Sequence, residues 1–235
     1  MKYLIRTILL LTLIIFALAY FWFYQNLKIT MNPQNITYRD ESFEREKTIK
    51  VALIGDIHIF DTVEDYQKIS NRTVNVWSQI LKHTNSQLLL KTSHAGDIDD
   101  LKNNILDKFI NNGVSRDQII FLKREKEIHN HLKLYNKANI ALDTFPYPGV
   151  TTSFEAIMMG VPVLTMKGFN MNSRCGESIN KNINMDHLLA ENDEDYVKKA
   201  ISLIKDKKNF GINGKLLREK AMSSPLFDAD TFAKD

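Results

Sequence analysis

A chain of 235 residues with a formal charge of only +3 lacks the excess of basic side chains that a nucleic-acid footprint requires. Its single cysteine, Cys175, excludes an internal disulfide and any cysteine-based metal cluster. The length suits one sizeable core plus an N-terminal extension and is too short for two α/β halves. The chain opens with MKYLIRTILLLTLIIFALAYFWFYQN, in which residues 7–24 are apolar apart from Thr7 and Thr12. That run lies near the lower limit of the ~17–25 residues of a membrane helix, and Phe21, Trp22, Phe23 and Tyr24 suit an interfacial aromatic belt. Lys2, Arg6 and Ala17-Leu18-Ala19 form the rival pattern of a cleaved signal peptide. The apolar run continues past that point, so residues 1–25 read as an uncleaved single-pass anchor and the expected location is a membrane, with the positive-inside rule leaning toward an external C-terminal domain. Residues 26–49 are polar without an apolar period and read as a linker.

From residue 50 onward, strand and helix signals alternate. Residues 51–54 read as a buried strand ending at Gly55. Residues 73–82 place Val74, Trp77, Ile80 and Leu81 on one helical face, and 87–91 return as a strand. Asp97 can cap a helix that buries Leu101, Ile105, Phe109 and Ile110 and ends at Gly113, before a strand over 118–122. A further helix covers 125–137. The stretch 139–165, NIALDTFPYPGVTTSFEAIMMGVPVLT, then reads as strand, loop, helix and strand, with short apolar runs at 140–142 and 161–164. Thr152 and Glu155 have capping-box spacing, and Gly160 and Pro162 supply a stop, which predicts a helix over 153–159. In the preceding loop, Pro146 and Pro148 stiffen the chain, Gly149 permits close approach, and Thr151 and Thr152 present paired hydroxyls. Such a turn at a helix N-terminus suits a phosphate group, and equally suits an ordinary capped strand-to-helix turn. Residues 193–204 and 213–222 are amphipathic helices. The alternation predicts an α/β fold, a parallel sheet with helices on both faces and right-handed crossovers. Ligands then belong at the carboxyl ends of the strands, where Lys68, His131 and the Thr151 turn can meet.

The run LDTFPYPGVTTSFEAIMMGVPVLTMKG at 142–168 resembles the donor-binding signature of the protein O-GlcNAc transferase and SPINDLY family, inverting glycosyltransferases of the two-domain GT-B fold. QKIS at 67–70 resembles that family's lysine-bearing turn, and His129-Asn130-His131 stands at the family's interval before the signature, in a form similar to the SPINDLY branch. SSPLFD at 223–228 resembles its closing motif. The resemblance covers residues 50–235 and implies a Rossmann-like C-terminal half of a GT-B fold that binds a nucleotide sugar.

By that resemblance, Lys68 neutralises the donor pyrophosphate and stabilises the leaving group, His131 packs on the nucleobase, and Gly149, Thr151 and Thr152 surround the phosphates. Glu155 either accepts from the ribose hydroxyls or serves only as the capping-box partner of Thr152. Val150 departs from the part of the family that carries histidine before the paired threonines. The implied donor is UDP-GlcNAc or GDP-fucose, with no metal and no other cofactor, and the implied acceptor is a protein Ser or Thr hydroxyl. No base is assigned: of His58, His83 and His94, only His58 and His94 follow expected strands. The N-terminal half of such enzymes resembles nothing before residue 50, so a separate chain is expected to supply it. The expected function is a sugar transferase domain incomplete on its own, the alternative being a non-catalytic, membrane-anchored remnant that binds a nucleotide or a partner.

Overall fold

The computed structural model describes residues 50–53, 69–91, 99–123, 125–205 and 214–228. Its strands, in chain order, are β1 (Lys50–Leu53), β2 (Gln87–Lys91), β3 (Ile119–Leu122), β4 (Ile140–Leu142), β5 (Val163–Met166) and β6 (Leu189–Ala190). They form one six-stranded sheet, ordered β3-β2-β1-β4-β5-β6, in which every pairing is parallel. The described helices are α1 (Asn71–Thr84), α2 (Asp99–Asn111), α3 (Ile128–Lys133), α4 (Thr151–Met158), α5 (Cys175–Asn182), α6 (Asp193–Lys205) and α7 (Gly214–Met222). The apolar runs are continuous because both faces of a parallel sheet are covered. Leu88 and Leu90, Ile140 and Leu142, and Leu164 and Met166 point into one core with Trp77, Ile80, Phe109 and Tyr196. The intervening Leu89, Ala141 and Val163 are buried too but lie outside that cluster, as the two-residue period of a strand requires. Helices α1, α2 and α6 cover the first face, while α4, α5 and α7 pack together over the other.

Most expected elements stand within two residues of their forecast bounds. The helix expected over 125–137 is shorter and tighter, with α3 followed by a 3-10 turn at Leu134–Lys137. Ile110, expected in the core, is 40% exposed, because the buried stripe of α2 runs through Ile105, Leu106 and Phe109.

Helix α4 ends as its sequence forecasts. Gly160 adopts φ +76°, its N–H donates to Ile157 O at 2.9 Å, and Val161 N–H donates to Ala156 O at 2.8 Å. This is the paired bonding of a Schellman stop, followed by Pro162. A Cβ on Gly160 would stand 2.8 Å from the Gly214 Cα at the start of α7, a backbone atom that cannot swing aside. Gly160→Ala should therefore cost about 1–3 kcal/mol, the left-handed penalty plus displacement of α7. A urea midpoint equal to that of the parent would contradict this close packing of two backbones.

The membrane expectation is corrected. No helix among the described residues is long and apolar enough to cross a membrane. The longest, α1, has 14 residues and spans about 21 Å, short of the ~30 Å hydrocarbon core. The segment 7–24 on which that expectation rested lies outside the described residues.

Candidate functional site

The strand order reverses between β1 and β4, and in an open parallel sheet that reversal opens a crevice at the carboxyl ends of the two strands. Two chain segments meet there. Ser70, just before α1, has an Oγ that accepts from Thr73 N–H at 3.0 Å and so caps that helix. The loop after β4 carries Phe145, whose carbonyl accepts from Thr73 Oγ1 at 3.1 Å and from Ser70 Oγ at 3.5 Å. Arg72 lies over the Phe145 ring at 5.3 Å and forms a forked pair with Asp193 at the start of α6, its Nη2 2.6 Å from Oδ1. The Phe145–Pro146 bond is cis. The first turn of α1 is thus tied to the loop that leads into α4.

That loop is held from beneath by Asp143, the residue after β4. Its Oδ1 accepts from Gly149 N–H at 2.8 Å and from Ser153 Oγ at 3.3 Å. Its Oδ2 lies near Thr165 but outside hydrogen-bond geometry. Burial pushes this carboxyl from 3.8 up to about 7, against the Gly149 N–H, Thr165 and Ser153, which pull it down. A Cβ on Gly149 would run into Thr152 Oγ1 and stand 2.9 Å from Ser153 Oγ, so only glycine lets the loop lie this close to the helix start.

A carboxyl with a raised folded-state pKa holds its proton more tightly in the folded chain. Its contribution to stability is therefore full below about 4 and is lost as pH rises through about 7. Asp143→Asn keeps an acceptor for Gly149 without a charge to bury. Its urea midpoint should exceed the parent's by more at pH ~8 than at pH ~4; an equal gap at both pH values would contradict the buried-charge account.

Helix α4 begins at Thr151, and the capping box expected of Thr152 and Glu155 is not formed. The N-cap residue is Val150, which makes no side-chain cap, and the first helical bond is Phe154 N–H to Val150 O at 3.0 Å. The N–H groups of Thr151, Thr152 and Ser153 therefore lie outside the helical ladder at the positive end of the helix dipole. Thr151 is exposed on the rim and Thr152 is buried.

Glu155 is drawn elsewhere. Its Oε2 lies 2.8 Å from His131 Nε2 and accepts from Tyr135 Oη at 2.8 Å. The other ring nitrogen of His131, Nδ1, is 2.8 Å from Nζ of Lys91, the last residue of β2. Tyr135 also donates to Thr152 O at 3.3 Å and meets the His131 ring edge-on at 5.7 Å. A connected polar row, Lys91, His131, Glu155 and Tyr135, thereby joins β2, α3 and α4 along the rim.

Of the residues expected at the site, His131, Gly149, Thr151, Thr152 and Glu155 come together on this rim, and Lys68 lies outside the described residues. His58 and His94 also lie outside them. His83 is far from the rim, at the opposite end of α1, where its Nδ1 is 2.7 Å from Gln79 O. It lines a groove of about 590 Å³ between α1 and α6. Arg174 is held by Glu177, with Nε 2.7 Å from Oε2. Arg174, with Lys181 adding to it against the cost of burial, holds the Glu177 carboxyl at about 2. Lys91, Tyr135 and Asp143 were missed. The i, i+4 spacing of His131 and Tyr135 was the available signal for one of them.

The pattern of the family described as Glycosyl transferase family 41 matches residues 47–235. A probable UDP-N-acetylglucosamine–peptide N-acetylglucosaminyltransferase SPINDLY from Eustoma exaltatum subsp. russellianum is 31% identical over 185 residues, which are 78% of this chain and 20% of that one. The corresponding SEC protein of Arabidopsis thaliana is 31% identical over 194 residues, 81% of this chain and 19% of its own. The chain thus spans about a fifth of the length of these curated relatives. Among solved structures, an O-GlcNAc transferase mutant from Thermobaculum terrenum superposes with a TM-score of 0.65 at 24% identity, over 80% of this chain and 35% of that one. Anabaena HepE, solved with UDP and glucose, superposes with a TM-score of 0.54 at 12% identity, over 80% of this chain and 46% of its own. At these identities the two likenesses show the fold.

Proposed function

Because the chain belongs to glycosyl transferase family 41, we propose that residues 50–235 form the donor-binding part of a nucleotide-sugar-dependent transferase that places a sugar on a protein Ser or Thr hydroxyl with inversion. The donor is UDP-GlcNAc or GDP-fucose, and no metal is needed. Lys68 and the N-terminus of α4 offset the pyrophosphate charge, which grows as the glycosidic bond breaks and the nucleoside diphosphate departs. The Thr151 and Thr152 hydroxyls and the close-lying Gly149 complete the phosphate cradle. His131 packs on the nucleobase, and Glu155 accepts from the ribose hydroxyls.

The observation that carries this reading is the 2.8 Å contact between His131 and Glu155. It supports the reading by holding the two side chains proposed for base stacking and ribose binding side by side, one turn of α4 from the N–H groups proposed to bind phosphate. The acceptor hydroxyl must be brought in line with the anomeric carbon and deprotonated, and orientation of this kind supplies ~7–11 kcal/mol of barrier reduction. A single Rossmann-like sheet offers one wall of such a cleft. The second wall and the base come from another segment or a separate chain.

The test uses labelled UDP-GlcNAc and GDP-fucose with Ser/Thr peptides. The protein is assayed alone and mixed with the N-terminal half of a SPINDLY relative. Label should enter peptide only in the mixture. Label transferred by the protein alone would make it a complete enzyme. Nucleotide binding without label in either case would favour a non-catalytic binding protein.

A further inference from the structure

Lys91 is the last residue of β2, 9% exposed, with its Nζ 2.8 Å from His131 Nδ1. An ammonium has three donors and no acceptor, so the ring nitrogen that faces it must be the unprotonated one. The ring proton then sits on Nε2 and is donated to Glu155 Oε2, 2.8 Å away. A proton on Nδ1 would set a donor against a donor across this 2.8 Å contact. Tyr135 Oη donates to the same carboxylate oxygen at 2.8 Å. Both bonds converge on Oε2, so Oε1 is the oxygen that remains for a ligand hydroxyl. Removing Lys91 would leave the ring held from one side only, by Glu155.

We propose that Lys91 is a positioning residue for the nucleotide site: by donating to Nδ1 it holds His131, from the side opposite Glu155, in the Nε2–H tautomer, and through the ring it positions the Glu155 carboxylate that receives the donor sugar-nucleotide. The inference rests on the nucleotide reading above for the ligand, but the tautomer itself is a property of the ligand-free chain. The role differs from that proposed for Lys68, since Lys91 acts on the imidazole and not on the pyrophosphate. The contact also gives a reason for a lysine to follow Leu88, Leu89 and Leu90 at the end of this buried strand.

The experiment uses the full chain with ¹⁵N-labelled histidine. His131→Gln identifies the His131 signals in two-bond ¹H–¹⁵N spectra, and UDP and GDP affinities are measured by calorimetry. The parent and Lys91→Arg, which still presents only donors, should show the Nε2–H pattern. Lys91→Met should show a displaced Nδ1 resonance, its hydrogen bond from Lys91 lost, and bind the nucleotide about tenfold more weakly, with Lys91→Arg within about threefold of the parent. Thermal melts establish that both variants are folded, and the arginine variant carries the test if the methionine variant is not. An Nδ1 resonance unmoved in Lys91→Met, a moved resonance with unchanged affinity, or a parent or arginine variant with the proton on Nδ1 would each overturn the proposal. A parent that shows the Nε2–H pattern but binds neither UDP nor GDP would overturn the nucleotide reading instead.

Discussion

Glu155→Ala is expected to weaken nucleoside diphosphate binding by about 3 kcal/mol, roughly hundredfold. In the proposed donor complex two ribose hydroxyls lose a charged acceptor, and hydrogen bonds to charged groups contribute about 1.5–3 kcal/mol each. His131 loses the partner that orients it, so the base-stacking contact weakens as well. The same substitution removes the 2.8 Å acceptor of Tyr135 Oη, on a residue only 1% exposed, and should cost about 1–2 kcal/mol of stability. Calorimetric titration and urea unfolding of one preparation separate the two effects. Affinity within a factor of about three of the parent would show that Glu155 serves only the internal row.

Lys68→Ala should act differently. A cation against the pyrophosphate contributes about 1.5–3 kcal/mol to binding and little to the fold, so affinity should fall by roughly ten- to hundredfold with the melting temperature nearly unchanged. Raising the salt concentration should weaken the parent more than the variant, because the variant has lost a screened charge pair. Equal affinities for the two proteins would remove Lys68 from the donor site. A large loss of thermal stability would assign it a structural role.

The fold was legible because its signals are local and redundant. Apolar runs the length of buried strands alternate with helices whose apolar faces repeat every three to four residues, and few topologies fit that order. The stop at Gly160 was readable for the same reason, since a left-handed glycine followed by proline admits little else. The start of that helix was misread. Thr152 and Glu155 have the spacing of a capping box, but His131 and Tyr135, which lie more than fifteen residues away in sequence, take the carboxylate. A local motif loses to a tertiary contact whenever two donors outcompete one backbone N–H.

The site was legible only in part. His131, Thr151, Thr152 and Glu155 carry family motifs, whereas Lys91 closes an apolar strand and reads as an ordinary solvated end. Asp143 likewise stands at a strand end, where an acidic residue is common. Its burial, and its hold on the Gly149 N–H at 2.8 Å, depend on how the following loop folds back over it. Neither contact leaves a periodic trace in the sequence.

The central claim is that this rim is a nucleoside diphosphate site, and calorimetric titration of the chain with UDP and, separately, with GDP tests it most directly. The account predicts saturable one-to-one binding of one of the two nucleotides, abolished or strongly weakened in Glu155→Ala. A folded chain that binds neither nucleotide, or binds one equally well after that substitution, would contradict it.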